Sequence, residues 1–219
     1  MRRSKRRDLA EGIDEIDVEA APSKPERVDV RADGPWDSTE KNIGDDPAYL
    51  DFGSLLIRGR PGFNLQMPVD DDQGTIGSIV LVTEESGLEL RAFADARSGG
   101  LWDAVRTDLV TEAERLDGQA ETVDGPFGTE LRIRVPVTLP DGEDGFQPSR
   151  IIGIEGPRWL LRATFLGREA LEPTDDGLLV QALRDVVVVR GDEPRAPRDA
   201  LLITIGEDLD VVDTTNELQ

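Results

Sequence analysis

The stretch Leu88-Glu89-Leu90-Arg91-Ala92-Phe93-Ala94-Asp95-Ala96-Arg97-Ser98-Gly99-Gly100-Leu101-Trp102 contains a change of period. Up to Ala94, the residues Leu88, Leu90, Ala92 and Ala94 alternate with Glu89, Arg91 and Phe93, the two-residue repeat of a strand with one buried face. From Leu101 onward the repeat lengthens. Leu101, Trp102, Val105, Leu109, Ala113 and Leu116 recur at helical spacing, while Asp103, Arg106, Asp108, Glu112 and Arg115 occupy the opposite side. Ser98 is the expected N-cap and Gly118 the stop. A strand running directly into an amphipathic helix predicts a sheet with a helix laid against it.

Working outward from this stretch, the upstream chain reads as strands. Ser54 to Ile57 and Phe63 to Met67 are short ones, and Ile76 to Val82 is apolar enough for a central position. The turn at Glu84 to Gly87 makes Ile76–Val82 and Leu88–Ala94 an antiparallel hairpin. Downstream, Leu131, Ile133, Val135 and Val137 alternate across Thr129 to Val137, where Pro136 argues for an edge or a strand end. Arg150 to Ile154 and Trp159 to Leu166 form a second hairpin around Glu155-Gly156-Pro157. A second helix is expected from Thr174, with Asp175 and Asp176 at its positive end and Leu178, Leu179, Ala182, Leu183 and Val186 as its buried stripe. Val186 to Arg190 reads as either more helix or a strand, and Leu201 to Ile205 as a last edge strand. The fold class is α+β: an antiparallel sheet with two main helices.

The 219 residues include 46 acids and 25 bases, for a net charge of −21. Residues 49–205 are expected to form one α+β domain. Residues 1–48 read as a disordered tail, basic in its first seven residues; residues 8 to 50 then carry 13 acids against 4 bases with little apolar periodicity. Trp36 and Tyr49 are the aromatics in that region able to tether it. Residues 206–219 read as a second, acidic tail. Met1-Arg2-Arg3-Ser4-Lys5-Arg6-Arg7 is followed by no apolar segment, and no stretch approaches the roughly 18 apolar residues of a membrane span. The expected location is cytoplasmic.

Composition also limits the chemistry. The sequence has no Cys and no His, its lysines are Lys5, Lys24 and Lys41, and its one Tyr is Tyr49. Thiolate and imidazole catalysis, disulfides and Cys- or His-ligated metals are excluded. Beyond Asp51, any catalysis would rest on Asp, Glu, Arg, Ser, Thr and backbone amides. No cofactor is expected.

Four segments carry a resemblance: Asp51-Phe52-Gly53-Ser54-Leu55-Leu56, Phe93 to Trp102, Gly156-Pro157-Arg158-Trp159-Leu160-Leu161-Arg162, and Arg184 to Asp192 followed by Pro194. Over about residues 45 to 205 the chain resembles an actinobacterial family catalogued as domain of unknown function 3710. Its element order is similar to the Mog1/PsbP-like fold. That resemblance implies a curved sheet flanked by the helices and a protein that binds partners rather than catalysing.

The candidate binding residues are arginines. Arg91, Arg132, Arg134, Arg150 and Arg162 fall on expected strands, and together on one face they would clamp a carboxylate, a phosphate or an acidic protein segment. The competing reading pairs them across strands with Glu89, Glu130 and Glu155. Arg97 lies beside the helix start, where backbone amides favour anions. Asp70-Asp71-Asp72 and Asp141 to Asp144 read as solvated turns rather than cation sites, since neither has calcium-loop spacing. Gly125-Pro126-Phe127-Gly128 matches an RNA-clamping GXXG, but without that module's helices or basic surface. Arg190-Gly191-Asp192 reads as a turn. A core this acidic repels phosphate backbones, so specific nucleic-acid binding by the core is not expected.

The functional expectation is a non-catalytic binding or assembly module whose partner is a protein or an anionic ligand. A Mg²⁺-dependent hydrolase using Asp95, Asp103 or Asp185 stands as one alternative. A structural protein forming a homodimer through a sheet edge is the other.

Overall fold

The computed structural model describes residues 30–70, 75–139 and 141–205. In chain order the strands before the first helix are β1 (Trp36–Asp37), β2 (Tyr49–Asp51), β3 (Leu55–Arg58), β4 (Asn64–Gln66), β5 (Val69–Asp70), β6 (Thr75–Ile76), β7 (Ile79–Val82) and β8 (Ser86–Ala94). Helix α1 spans Leu101–Arg115. After it come β9 (Gln119–Gly125), β10 (Gly128–Thr138), β11 (Asp144–Gly156) and β12 (Trp159–Gly167), then α2 (Arg168–Leu171), α3 (Leu178–Asp185) and β13 (Val187–Val188).

Seven strands form one antiparallel sheet in the order β4-β7-β8-β12-β11-β10-β9. A four-stranded sheet, β1-β13-β3-β2, shares no strand pairing with it, and β5 pairs only with β6. Neighbouring residues on a strand point to opposite faces, so the two buried clusters lie on opposite sides of the large sheet. On one face Leu131, Ile133, Ile151 and Leu160 pack with Leu101, Trp102 and Ala113 of α1. The other face, including Leu90, Ile152, Leu161 and Phe165, packs with Leu55 and Val188 of the small sheet and with Leu179 and Leu183 of α3. Gly153 is where α1 comes closest, since a Cβ there would fall inside the Trp102 indole.

Several sequence expectations are corrected by these contacts. Packing begins before residue 49: β1 pairs in parallel with β13, and Asp37, 4% exposed, accepts a 2.7 Å hydrogen bond from Trp159 Nε1. Two residues of strand and one buried carboxylate are too little to show as apolar periodicity. Residues 1–29 and 206–219, expected as tails, lie outside the described residues, as do Asp71 and Asp72.

Among the described residues a single-turn helix, α2, adds to the two longer ones, and α3 begins at Leu178, beyond Asp175 and Asp176. Val187 and Val188 form a strand, seated between β1 and β3. The Ile76 to Val82 stretch breaks at Gly77, which leaves β7 second from an edge. Pro136 sits beyond the reach of β9, whose pairing with β10 stops at Arg134; β10 is thus interior near Leu131 and an edge at Pro136. Leu201 to Ile205 makes isolated bridges, Ile203 to Gly53 and neighbouring Ala200 to Phe93, instead of a strand.

Candidate functional site

The strand ladder places two arginine pairs directly across from one another, Arg150 opposite Arg132 and Arg162 opposite Arg91. Like charges at such positions repel, and a single glutamate answers each pair. On the α3 side of the sheet, Glu130 Oε2 accepts from Arg150 Nε at 2.9 Å and pairs with Arg150 Nη2 at 2.8 Å, while Oε1 stands 3.5 Å from Arg132. Arg150 and Glu130 are both 1% exposed, and the guanidinium lies 5.3 Å from the Phe165 ring centre.

On the α1 side, Glu89 stands 3.4 Å from Arg91 and 4.0 Å from Arg162. Burial pushes the Arg162 guanidinium below its usual pKa; Glu89 opposes this and Arg91 adds to it. The predicted arginines therefore divide between the two faces. Glu89 and Glu130 act as the pairing partners foreseen from the sequence; Glu155 does something else.

Glu155 caps α1. The amides of Gly100 and Trp102 donate to its Oε1 at 3.0 and 2.8 Å. Gly100, at φ 93°, is the N-cap residue and makes no side-chain cap bond, so Ser98 does not fill that role. The helix-start amides expected to meet an external anion are occupied by the protein's own carboxylate. Beside them Asp95 is 7% exposed, and burial raises its carboxyl pKa; the Ala96 amide opposes the shift and Glu155 reinforces it. Arg97 is exposed, lines an open depression with Arg158 and Asp192, and makes no ion pair among the described residues.

A groove of about 320 Å³ runs beside α2, lined by Glu121, Arg132, Arg134, Pro148, Ala170 and Leu171, among others. Arg132, Arg134 and Pro136 project from one face of β10, with Arg150, Pro148 and Phe146 opposite them on β11. The row runs from a buried guanidinium to a phenyl ring 63% exposed. Arg134 has no ionic partner among the described residues.

The carboxylates considered for a metal site sit in three separate environments. Asp95 is beneath the α1 start, Asp103 pairs with Arg106, and Asp185 is surrounded by cations. Among the described residues no group of three or more Asp or Glu could hold a metal ion. Around Asp185 stand Lys41 at 3.7 Å, Arg58 at 3.7 Å and Arg60 in direct contact. Sequence reasoning missed this cluster. Lys41 fell in the presumed tail, and the Arg58-Gly59-Arg60 doublet alone does not indicate where Asp185 lies.

These features define an α+β protein with a seven-stranded antiparallel sheet and arginine–carboxylate clusters on both faces. The family described as Protein of unknown function (DUF3710) matches residues 34–211, and the chain belongs to that family. No curated protein matches the sequence. Among solved structures, the solution structure of cyanobacterial PsbP (CyanoP) from Synechocystis sp. PCC 6803 is similar at 14% identity and a TM-score of 0.35, over 68% of this chain and 96% of that one. Among the described residues, no helix is long and apolar enough to cross a membrane.

Proposed function

We propose that the protein is a non-catalytic binding module that docks an acidic, partly apolar segment of a partner protein along the β10–β11 row. The observation that carries this reading is the placement of Arg134, which lacks an ionic partner among the described residues, next to the loosely paired Arg132 and on the same face as exposed Phe146. In a chain of net charge −21, two accessible guanidinium groups on one strand face are a local reversal of sign. Forked hydrogen bonds to carboxylates would supply orientation, and Phe146 and Leu171 the apolar contact.

A fluorescently labelled peptide of alternating Glu and Val, titrated into the full-length protein, tests the proposal. Binding that weakens with salt and falls about tenfold or more in Arg132→Gln/Arg134→Gln supports it. Equal binding by both proteins, or none by either, overturns it. Arg134→Gln by itself is expected to change stability by less than about 0.5 kcal/mol, as surface substitutions do.

A second reading has one observation in its favour. β9 is an edge strand whose single neighbour is β10, and such an edge pairs readily with another copy. Light scattering at two protein concentrations decides it: a mass that doubles on concentration favours a homodimer, and a constant monomer mass excludes it.

A further inference from the structure

We infer that the surface around Asp185 is a binding site for a dianionic phosphate group, separate from the β10–β11 row. The argument starts from charge. Lys41, Arg58 and Arg60 converge on one carboxylate, leaving two positive charges in excess. Three cations gathered around one acid repel one another, and a further anion joining them offsets that repulsion.

Lys41 and Arg60 are held in place. The Lys41 ammonium lies 5.4 Å from the Trp36 ring centre and 5.6 Å from that of Tyr49, in a cation–π clasp. Arg60 donates to Gln181 Oε1 at 3.0 Å as well as to Asp185, and its buried Nε has no hydrogen-bond partner. Arg58 stands directly across the strand pair from Tyr49. Cations fixed before a ligand arrives lose little side-chain entropy on binding it.

Their exposure fits as well. The Asp185 side chain is 17% exposed, while those of Lys41, Arg60 and Arg58 are 31%, 27% and 43% exposed, so the cations present themselves to solvent around a sunken carboxylate. Planar guanidinium forks plus an ammonium suit a tetrahedral oxyanion of charge −2 better than a single carboxylate, because they offer several donors and match both charges. A phosphate group is such an oxyanion.

The test uses the full-length protein at pH 7.5, titrated calorimetrically with sodium phosphate against sodium chloride at matched ionic strength. The expected result is saturable phosphate binding, weakened about tenfold in Arg58→Gln and again in Lys41→Gln. Removing the internal competitor in Asp185→Asn is expected to tighten binding, whereas a merely structural cluster would gain nothing from it. Should Asp185→Asn fail to fold, the Arg58→Gln and Lys41→Gln titrations still decide. Phosphate heats no different from chloride, or unchanged affinity in both cation variants, overturn the inference.

Parallel titrations separate the source of the group. Tighter binding of a phosphoserine peptide than of inorganic phosphate, with none of its unphosphorylated form, assigns a phosphoprotein; equal or tighter binding of inorganic phosphate or pyrophosphate assigns a small molecule. Arg132→Gln/Arg134→Gln is expected to bind phosphate like the wild type, so failure of the docking proposal and failure of this one read out separately.

Discussion

The two Arg–Glu–Arg clusters share a design and differ in depth. In each, two arginines face one another across adjacent strands and one glutamate from the same sheet stands between them. Glu130 and Arg150 have side chains 2% exposed, in contact at 2.8 Å. Glu89 and Arg162 are 26% and 19% exposed and 4.0 Å apart. The buried pair is committed to the fold, because an ion removed from water cannot be left alone. The shallower pair keeps part of its hydration and holds its partner loosely. Arg132, on the same face as Arg150 but 44% exposed in its side chain, is the accessible member of the deep cluster. The difference teaches that burial, rather than residue type or strand position, separates an arginine that builds the sheet from one free to meet a ligand.

The sharpest way to break this comparison is to remove the deep acid. Glu130→Ala is expected to cost about 3–5 kcal/mol in urea unfolding, since Arg150 would stay buried and unpaired. Replacing the pair together, as Glu130→Leu with Arg150→Met, is expected to recover most of that loss. A small effect of Glu130→Ala would place the pair nearer water than its exposure implies.

Glu155→Ala comes next. It strips two amides at the start of α1 of their acceptor, and a loss of about 1 kcal/mol is expected from the value of a helix cap. Glu89→Ala is expected to cost about 1 kcal/mol, because the largely buried Arg162 loses its counter-charge but keeps part of its hydration. A cost as large as that of Glu130→Ala would erase the distinction between the clusters.

The smallest effect has the opposite sign. Burial holds the Asp95 carboxyl above its ordinary pKa, so the folded state binds the extra proton. The contribution of Asp95 to stability is therefore fully present at low pH and is lost as pH rises from the unfolded value through the folded one. Asp95→Asn removes that loss. Its melting temperature at pH 7 is expected to equal or slightly exceed that of the wild type, with the difference closing as pH approaches about 4.

Much of the architecture was legible from period alone. The β7–β8 and β11–β12 hairpins and the amphipathic face of α1 each express a repeat within a dozen or so neighbouring residues, and the structure contains all of them. β9 was overlooked because Gln119 to Gly125 is an edge strand whose residues are mostly exposed, so little apolar alternation marks it. Helix α2 is a single turn, too short to have a period. For the candidate sites, the arginines of β8, β10, β11 and β12 were identifiable as strand residues. Their division between faces followed only once each strand's register was known.

By itself the sequence determined the elements and the chemistry available to them: alternating strands, one long amphipathic helix, a large acidic excess, and neither imidazole nor thiol. Tertiary structure decided how the charges were used. It set Glu155 on the α1 amides, buried Arg150 against Glu130, and brought Arg60 to Asp185 across 125 residues of chain. The physical reason is range. A strand or helix repeat is enforced by backbone geometry between near neighbours, whereas a charge is neutralised by whichever partner the folded chain brings within a few ångströms, and no local pattern records which that will be.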